Sequence, residues 1–220
     1  MKLKICGIRN SQEAKLAVEE GADAVGLVFA ESPRQVDLEE AENIISCIPP
    51  FVSRTGVFVD EDPVKVMEIA RKCSLDTLQF HGQESPEYCR RFKGYVLVKS
   101  FAATCELKLS QVQEYPVDAI LLDTKYEDKK GGGGLAFDWN LALPFASISL
   151  PMILAGGINS ANIKEALSAV TPYAVDVSSG AEENGVKDRK LIRTLVQEIK
   201  CFKNFSEINC SGKDEKHEQD

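Results

Sequence analysis

Eight times along this chain a short apolar run gives way to a stretch in which apolar residues recur every three or four positions, the pattern of a strand followed by a helix. The first run, Lys2-Leu3-Lys4-Ile5-Cys6, alternates basic and apolar positions and stops at Gly7; Ser11 with Glu13 and Glu20 then marks a helix that Gly21 closes. Further strands are predicted over Ala24 to Phe29, Val52 to Val59, Thr77 to Phe80, Tyr95 to Ser100, Ala119 to Asp123, Pro151 to Ala155 and Ala174 to Val177. Helices are expected from an Asp37 cap through Cys47, from Asp62-Pro63 to Lys72, and from Ser85-Pro86 to near Phe92. Others are expected from Lys108 to Tyr115, from Trp139 to Phe145 behind an Asp138 cap, from Ser160 to Val170, and from Asp188 to about Phe202.

Strands this apolar, each followed by a helix, are buried on both faces and run parallel. Eight such units in 220 residues match an α/β fold with a single domain, a (β/α)8 TIM barrel over residues 1–202. A doubly wound open sheet is the rival; it leaves edge strands, and no strand here is markedly more polar than its neighbours. Residues 203–220 are polar and charged with little periodic apolar content, and are expected to form a flexible C-terminal tail.

With 44% hydrophobic residues the chain has material for one large core. Its net charge of -8 argues against a nucleic-acid surface, which needs clustered Lys and Arg, so an anionic ligand has to be held by local groups. Seven cysteines without a Cys-x-x-Cys spacing fit neither a disulfide framework nor a zinc site, and point to free thiols in a reducing compartment. No leader pattern precedes the first strand and no apolar run approaches 18 residues, so a cytoplasmic protein without membrane contact is expected.

In a barrel the C-terminal ends of all strands meet on one face, and that face carries the site. The residues due there are Cys6, Arg34, Gln79, His81, Asp123, Gly156-Gly157, and Ser178-Ser179-Gly180 behind Asp176. Consecutive glycines after strand seven and the Ser-Ser-Gly after strand eight suit a backbone nest for a phosphate, although tight turns account for glycine as well. Cys6 reads either as a small core hydrophobe or as a base or nucleophile. Asp123 reads either as a turn cap or as the partner of Cys6 in an acid and base couple. Arg34 follows Ser32-Pro33, which favours extended backbone, and is either solvated or a carboxylate grip. His81 is a polar group lining the site; this face supplies too few ligands for a metal. The glycine-rich run Lys125 to Gly134 is either a closing loop or a plain connector.

Taken together, Lys4-Ile5-Cys6-Gly7-Ile8, Gln79-Phe80-His81-Gly82, Leu121-Leu122-Asp123, Phe137-Asp138-Trp139, Leu154-Ala155-Gly156-Gly157 and Val175-Asp176-Val177-Ser178-Ser179-Gly180 resemble the phosphoribosylanthranilate isomerase family of tryptophan biosynthesis, in order and spacing across about residues 2 to 200. The resemblance implies a (β/α)8 barrel that carries out an Amadori rearrangement of N-(5-phosphoribosyl)anthranilate with no metal or cofactor. It implies Asp123 as general acid, Cys6 as general base, Arg34 on the anthranilate carboxylate and the two glycine-bearing loops on the phosphate. It implies a small-molecule substrate as partner, and a monomer or weak homodimer. Gly131 to Gly134 stand where the family commonly has Gly-Gly-Thr-Gly, and Phe80 where it often has leucine. The alternatives are the histidine-pathway sister isomerase, which has two phosphate loops and an aspartate in place of Cys6, and a phosphate-binding barrel without activity.

Overall fold

A computed structural model describes residues 1–123 and 139–211. Eight parallel strands close into a barrel in chain order: β1 (Lys2–Cys6), β2 (Ala24–Val28), β3 (Ser53–Phe58), β4 (Thr77–Phe80), β5 (Val96–Ala102), β6 (Ala119–Asp123), β7 (Met152–Leu154) and β8 (Ala174–Val177). β8 returns to β1 with Leu3 opposite Val175 and Ile5 opposite Val177, so the barrel has no open edge. The open-sheet alternative is thereby excluded.

The helices α1 (Ser11–Glu20), α2 (Leu38–Ile45), α3 (Pro63–Lys72), α4 (Pro86–Cys89), α5 (Leu109–Gln113), α6 (Ile163–Val170) and α7 (Arg189–Ser211) surround it. Their starts follow side-chain chemistry. Asn10, rather than Ser11, caps α1 by accepting from the Glu13 N–H; Asp37 and Glu40 form a capping box on α2; Asp62 accepts from the Val64 and Lys65 N–H groups ahead of α3.

Several boundaries differ from the periodicity. α4 stops at Cys89 because the Arg91 and Phe92 N–H groups bond three residues back, to Tyr88 and Cys89, and tighten the chain out of the α-helix. Phe92 is nevertheless buried, in an aromatic group with Phe80 and Tyr88. Trp139–Ser147 is a 3-10 helix rather than an α-helix, and carries Pro144, which has no N–H for an α-helical bond. α6 begins at Ile163 and not at Ser160, since the Asn159 and Asn162 side chains bond nearby backbone and hold a turn first. α7 continues past Phe202 to Ser211, into the stretch expected to be a tail; the next strong breaker in the sequence is Gly212. The periodicity also missed a hairpin, β9 (Glu182–Glu183) with β10 (Val186–Lys187). The glycine run 125–134, the Asp138 cap and residues 212–220 lie outside the described residues. Among the described residues no helix is long and apolar enough to cross a membrane.

Both faces of the strands are packed, with different chemistry. Leu3, Ile5, Val25, Leu27, Phe58, Leu78, Ile120 and Leu122 face the helices in one large apolar core. The interior holds a smaller apolar cluster of Val98, Ala119, Leu121, Ile153, Ala155 and Ala174 beside buried polar residues, including Lys4, Gln79, Ser100 and Asp176. The lysines that alternate with Leu3 and Ile5 therefore do not share one environment: Lys2 stays at the rim beside Asp23, and Lys4 points into the barrel.

Candidate active site

A cavity of about 280 Å³ opens at the C-terminal ends of the strands. Its lining includes Cys6, Arg34, Gln79, His81 and Asp123, together with Gly156, Gly157, Asp176, Ser178 and Ser179. Every residue singled out from the sequence is there except Gly180. A neighbouring cavity of about 270 Å³ shares His81 and Asp123 but is not lined by Cys6 or the glycine-bearing loops.

Cys6 ends β1, where the Gly7 and Ile8 N–H groups both bond to the Gly26 carbonyl and fix the tip of the strand. The thiol is buried, and burial pushes its pKa up; the Lys4 ammonium opposes that rise and Asp176 adds to it. Lys4 Nζ lies 3.0 Å from each carboxylate oxygen of Asp176. Burial pulls Lys4 down, yet the charges of Asp176 and Cys6 outweigh it and leave its pKa raised. Sequence reading missed Lys4, which looks like one more polar position in an alternating strand.

Gln79, His81 and Asp123 form a chain across the mouth. The Gln79 amide nitrogen is 3.1 Å from His81 Nδ1, and His81 Nε2 is 3.3 Å from Asp123 Oδ2. Nδ1 is thus the ring nitrogen turned to Gln79, and Nε2 the one that faces the carboxylate.

Arg34 is not presented on extended backbone. Ser32-Pro33 sits in a turn closed by the Gln35 N–H on the Ser32 carbonyl, and the guanidinium is gripped by Glu182 through Nε to Oε1 at 2.7 Å and Nη2 to Oε2 at 2.6 Å. Glu182 is drawn down to about 2: burial works against this, but bonds from Arg34 and Lys187 prevail. Lys187, on the missed hairpin, also donates to the Cys6 carbonyl at 2.6 Å and the Ser178 carbonyl at 3.1 Å, tying β1 to the loop after β8. Burial lowers its pKa.

In the loop after β7, Gly156 and Gly157 have φ of +89° and +66° in succession. The Asn159 and Asn162 amides both donate to the Gly157 carbonyl, at 3.1 and 3.0 Å, and hold that turn. Ser179–Ala181 forms a short 3-10 turn. Gly180 serves the site by packing: a Cβ there would lie 1.9 Å from the Ile158 carbonyl oxygen, so only glycine lets the loop after β8 close on the loop after β7.

Comparison with known proteins agrees with this geometry. The family model described as N-(5'phosphoribosyl)anthranilate (PRA) isomerase matches residues 3–198. A relative from Desulforudis audaxviator, named N-(5'-phosphoribosyl)anthranilate isomerase, is 47% identical over 197 residues, which is 89% of this chain and 96% of the relative. The crystal structure of phosphoribosyl anthranilate isomerase from Thermotoga maritima, an enzyme also described as dimeric, is 39% identical and superposes with a TM-score of 0.83, covering 91% of this chain and 99% of the other. A structure of such an isomerase in complex with reduced 1-(o-carboxyphenylamino)-1-deoxyribulose 5-phosphate is 37% identical, with a TM-score of 0.80 and the same coverage.

Proposed function

This chain belongs to the N-(5'-phosphoribosyl)anthranilate isomerase family, and from that premise we propose that it isomerises N-(5'-phosphoribosyl)anthranilate to 1-(o-carboxyphenylamino)-1-deoxyribulose 5-phosphate in tryptophan biosynthesis. One observation carries the reading: a single cavity at the strand ends is lined by a thiol, a carboxyl group, an arginine and two glycine-bearing loops. In this reading the loops after β7 and β8 take the phosphate. Glu182 engages Nε and Nη2 of Arg34, so Nη1 is the edge that meets the anthranilate carboxylate.

Asp123, entering as the acid, gives its proton to the furanose ring oxygen as the C1–O bond breaks, and the nitrogen lone pair forms the C1=N iminium. The Cys6 thiolate then takes the proton from C2; the C–H electron pair becomes C1=C2, and the C1=N pair returns to nitrogen. The resulting enolamine loses its O2 proton and gains one at C1 to become the ketone, and exchange with solvent returns a proton to Asp123 and takes one from Cys6, so that both groups are reset. Iminium formation acidifies the neighbouring C–H, so a thiolate is a sufficient base. Side chains carry the ring opening and the C2 proton removal, without metal or cofactor.

The test is anthranilate-type fluorescence of freshly generated substrate. Cys6→Ser and Asp123→Asn are each expected to slow its decay by about 100-fold or more. Undiminished turnover in Cys6→Ser rejects the base, and in Asp123→Asn the acid.

The partner supported best beyond the substrate is a second copy of this chain. Phe51 is wholly exposed beside a cavity of about 320 Å³ at the N-terminal end of the barrel, and the Thermotoga maritima enzyme is described as dimeric.

A further inference from the structure

An ammonium inside a barrel gives up its hydration and persists only with partners. Lys4 is such a group: its side chain is buried, both Asp176 oxygens lie 3.0 Å from Nζ, and Nζ and the Cys6 sulfur converge over Gly26. Closing β1 onto β8 does not need this pair, because backbone bonds and the outward packing of Leu3, Ile5, Val175 and Val177 already set that register. Two further facts tie the pair to the sulfur. Lys4 and Cys6 are two residues apart on one strand and so share the interior face. Opposite Cys6 in the register stands Gly26, where a Cβ would lie 2.8 Å from Cys6 Sγ and 3.1 Å from Lys4 Nζ. The neighbouring strand is empty at the one place where ammonium and sulfur meet.

We propose that Lys4 is the positioning residue of the base: its ammonium, clamped by Asp176 and set against Sγ over Gly26, carries the charge of the Cys6 thiolate. This rests on the reading of Cys6 as general base given above. The charged groups that face the sulfur are Lys4 on β1, Asp176 on β8, Lys187 on β10 and Arg34 after β2. Burial raises the thiol; Lys4 and, more weakly, Lys187 oppose it, while Asp176 reinforces it. The two members of one ion pair thus act on Cys6 in opposite directions.

That opposition is what the experiment reads. The rate of Cys6 alkylation by iodoacetamide is followed against pH in the full chain, by mass spectrometry of the Cys6 peptide. Lys4→Met is expected to move the profile to higher pH, with labelling at neutral pH down about tenfold, the effect of one pKa unit. Asp176→Asn is expected to move it to lower pH, and Lys4→Arg to hold it near the wild type. A structural disturbance would move both single variants the same way. Shifts of the same sign, or an unmoved profile in folded Lys4→Met, overturn the proposal. Where Lys4→Met does not fold, Lys4→Met/Asp176→Asn leaves no buried charge unpaired and replaces it; its profile is expected above that of Asp176→Asn, and coincidence of the two overturns the proposal. Labelling needs no substrate, so failure of the isomerase reading, seen as absent wild-type turnover or undiminished turnover in Cys6→Ser, is recorded separately.

Discussion

Arg34 and Glu182, 148 positions apart in the sequence, hold each other through two parallel bonds of 2.7 and 2.6 Å. The pair fastens the loop after β2 to the hairpin after β8 and orients the guanidinium at the cavity. Glu182 sits at about 2, below its ordinary 4.5, so its contribution to stability is complete above pH 4.5 and disappears as pH falls through 2. Glu182→Gln is expected to cost on the order of 2 kcal/mol at neutral pH, after discounting for the partial exposure of its partner Arg34. In urea unfolding the difference from wild type should be flat above pH 5 and shrink between pH 4.5 and 2; a difference that stays constant down to pH 2 contradicts the assignment.

Gly180→Ala brings a Cβ to 1.9 Å from the Ile158 oxygen and 2.9 Å from the Asn159 Cα, both backbone atoms that no rotamer change can move. The loops after β7 and β8 must separate. We expect a loss of about 1–3 kcal/mol in thermal unfolding and weaker binding of inorganic phosphate in calorimetry. Wild-type affinity in the variant would show that the close approach of these loops is irrelevant to the anion.

His81 stands between Gln79 and Asp123, with its Nε2 directed at the proposed acid. His81→Leu should lower kcat by roughly 10–100-fold while KM changes little, because the carboxyl group loses its neighbour and the proposed phosphate and carboxylate grips remain. A rise in KM at constant kcat would instead make His81 a binding residue.

Gly26→Ala places a methyl 2.8 Å from Cys6 Sγ, so the sulfur or the Lys4 ammonium has to move. Turnover is expected to fall about 100-fold in a chain that still folds, as the proposed base, once displaced, loses its line to the substrate carbon. Full activity in Gly26→Ala would mean that the sulfur tolerates displacement.

Phe51 is fully exposed beside a cavity at the N-terminal end of the barrel. In sedimentation equilibrium the wild type is expected to associate weakly and Phe51→Ser to remain monomeric. A monomeric wild type at all concentrations removes the second copy as a partner.

The strand runs read directly from the sequence because a parallel barrel buries both strand faces, and continuous apolar runs such as Ala119 to Leu122 leave little else to form. Helix starts at Asp37, Asp62 and Ser85 were legible for the same local reason: each cap is made within three residues. The helix ends at Cys89 and the late start at Ile163 were not, since backbone bonds and asparagine side chains compete there with the apolar period. The hairpin Glu182 to Lys187 is too short to show any period. With it went Glu182 and Lys187, which join the Arg34 loop, the Cys6 carbonyl and the loop after β8.

By itself, then, the sequence determined eight strand and helix units and the residues that stand at the strand ends, because those follow from spacing and from local hydrogen bonding. Only the tertiary structure decided that the polar side of β1 is an interior and not a surface. Closure of the barrel leaves Lys4 no water, so it finds Asp176, 172 positions away, and with it the sulfur of Cys6. A charge takes its meaning from what surrounds it, and folding sets those surroundings.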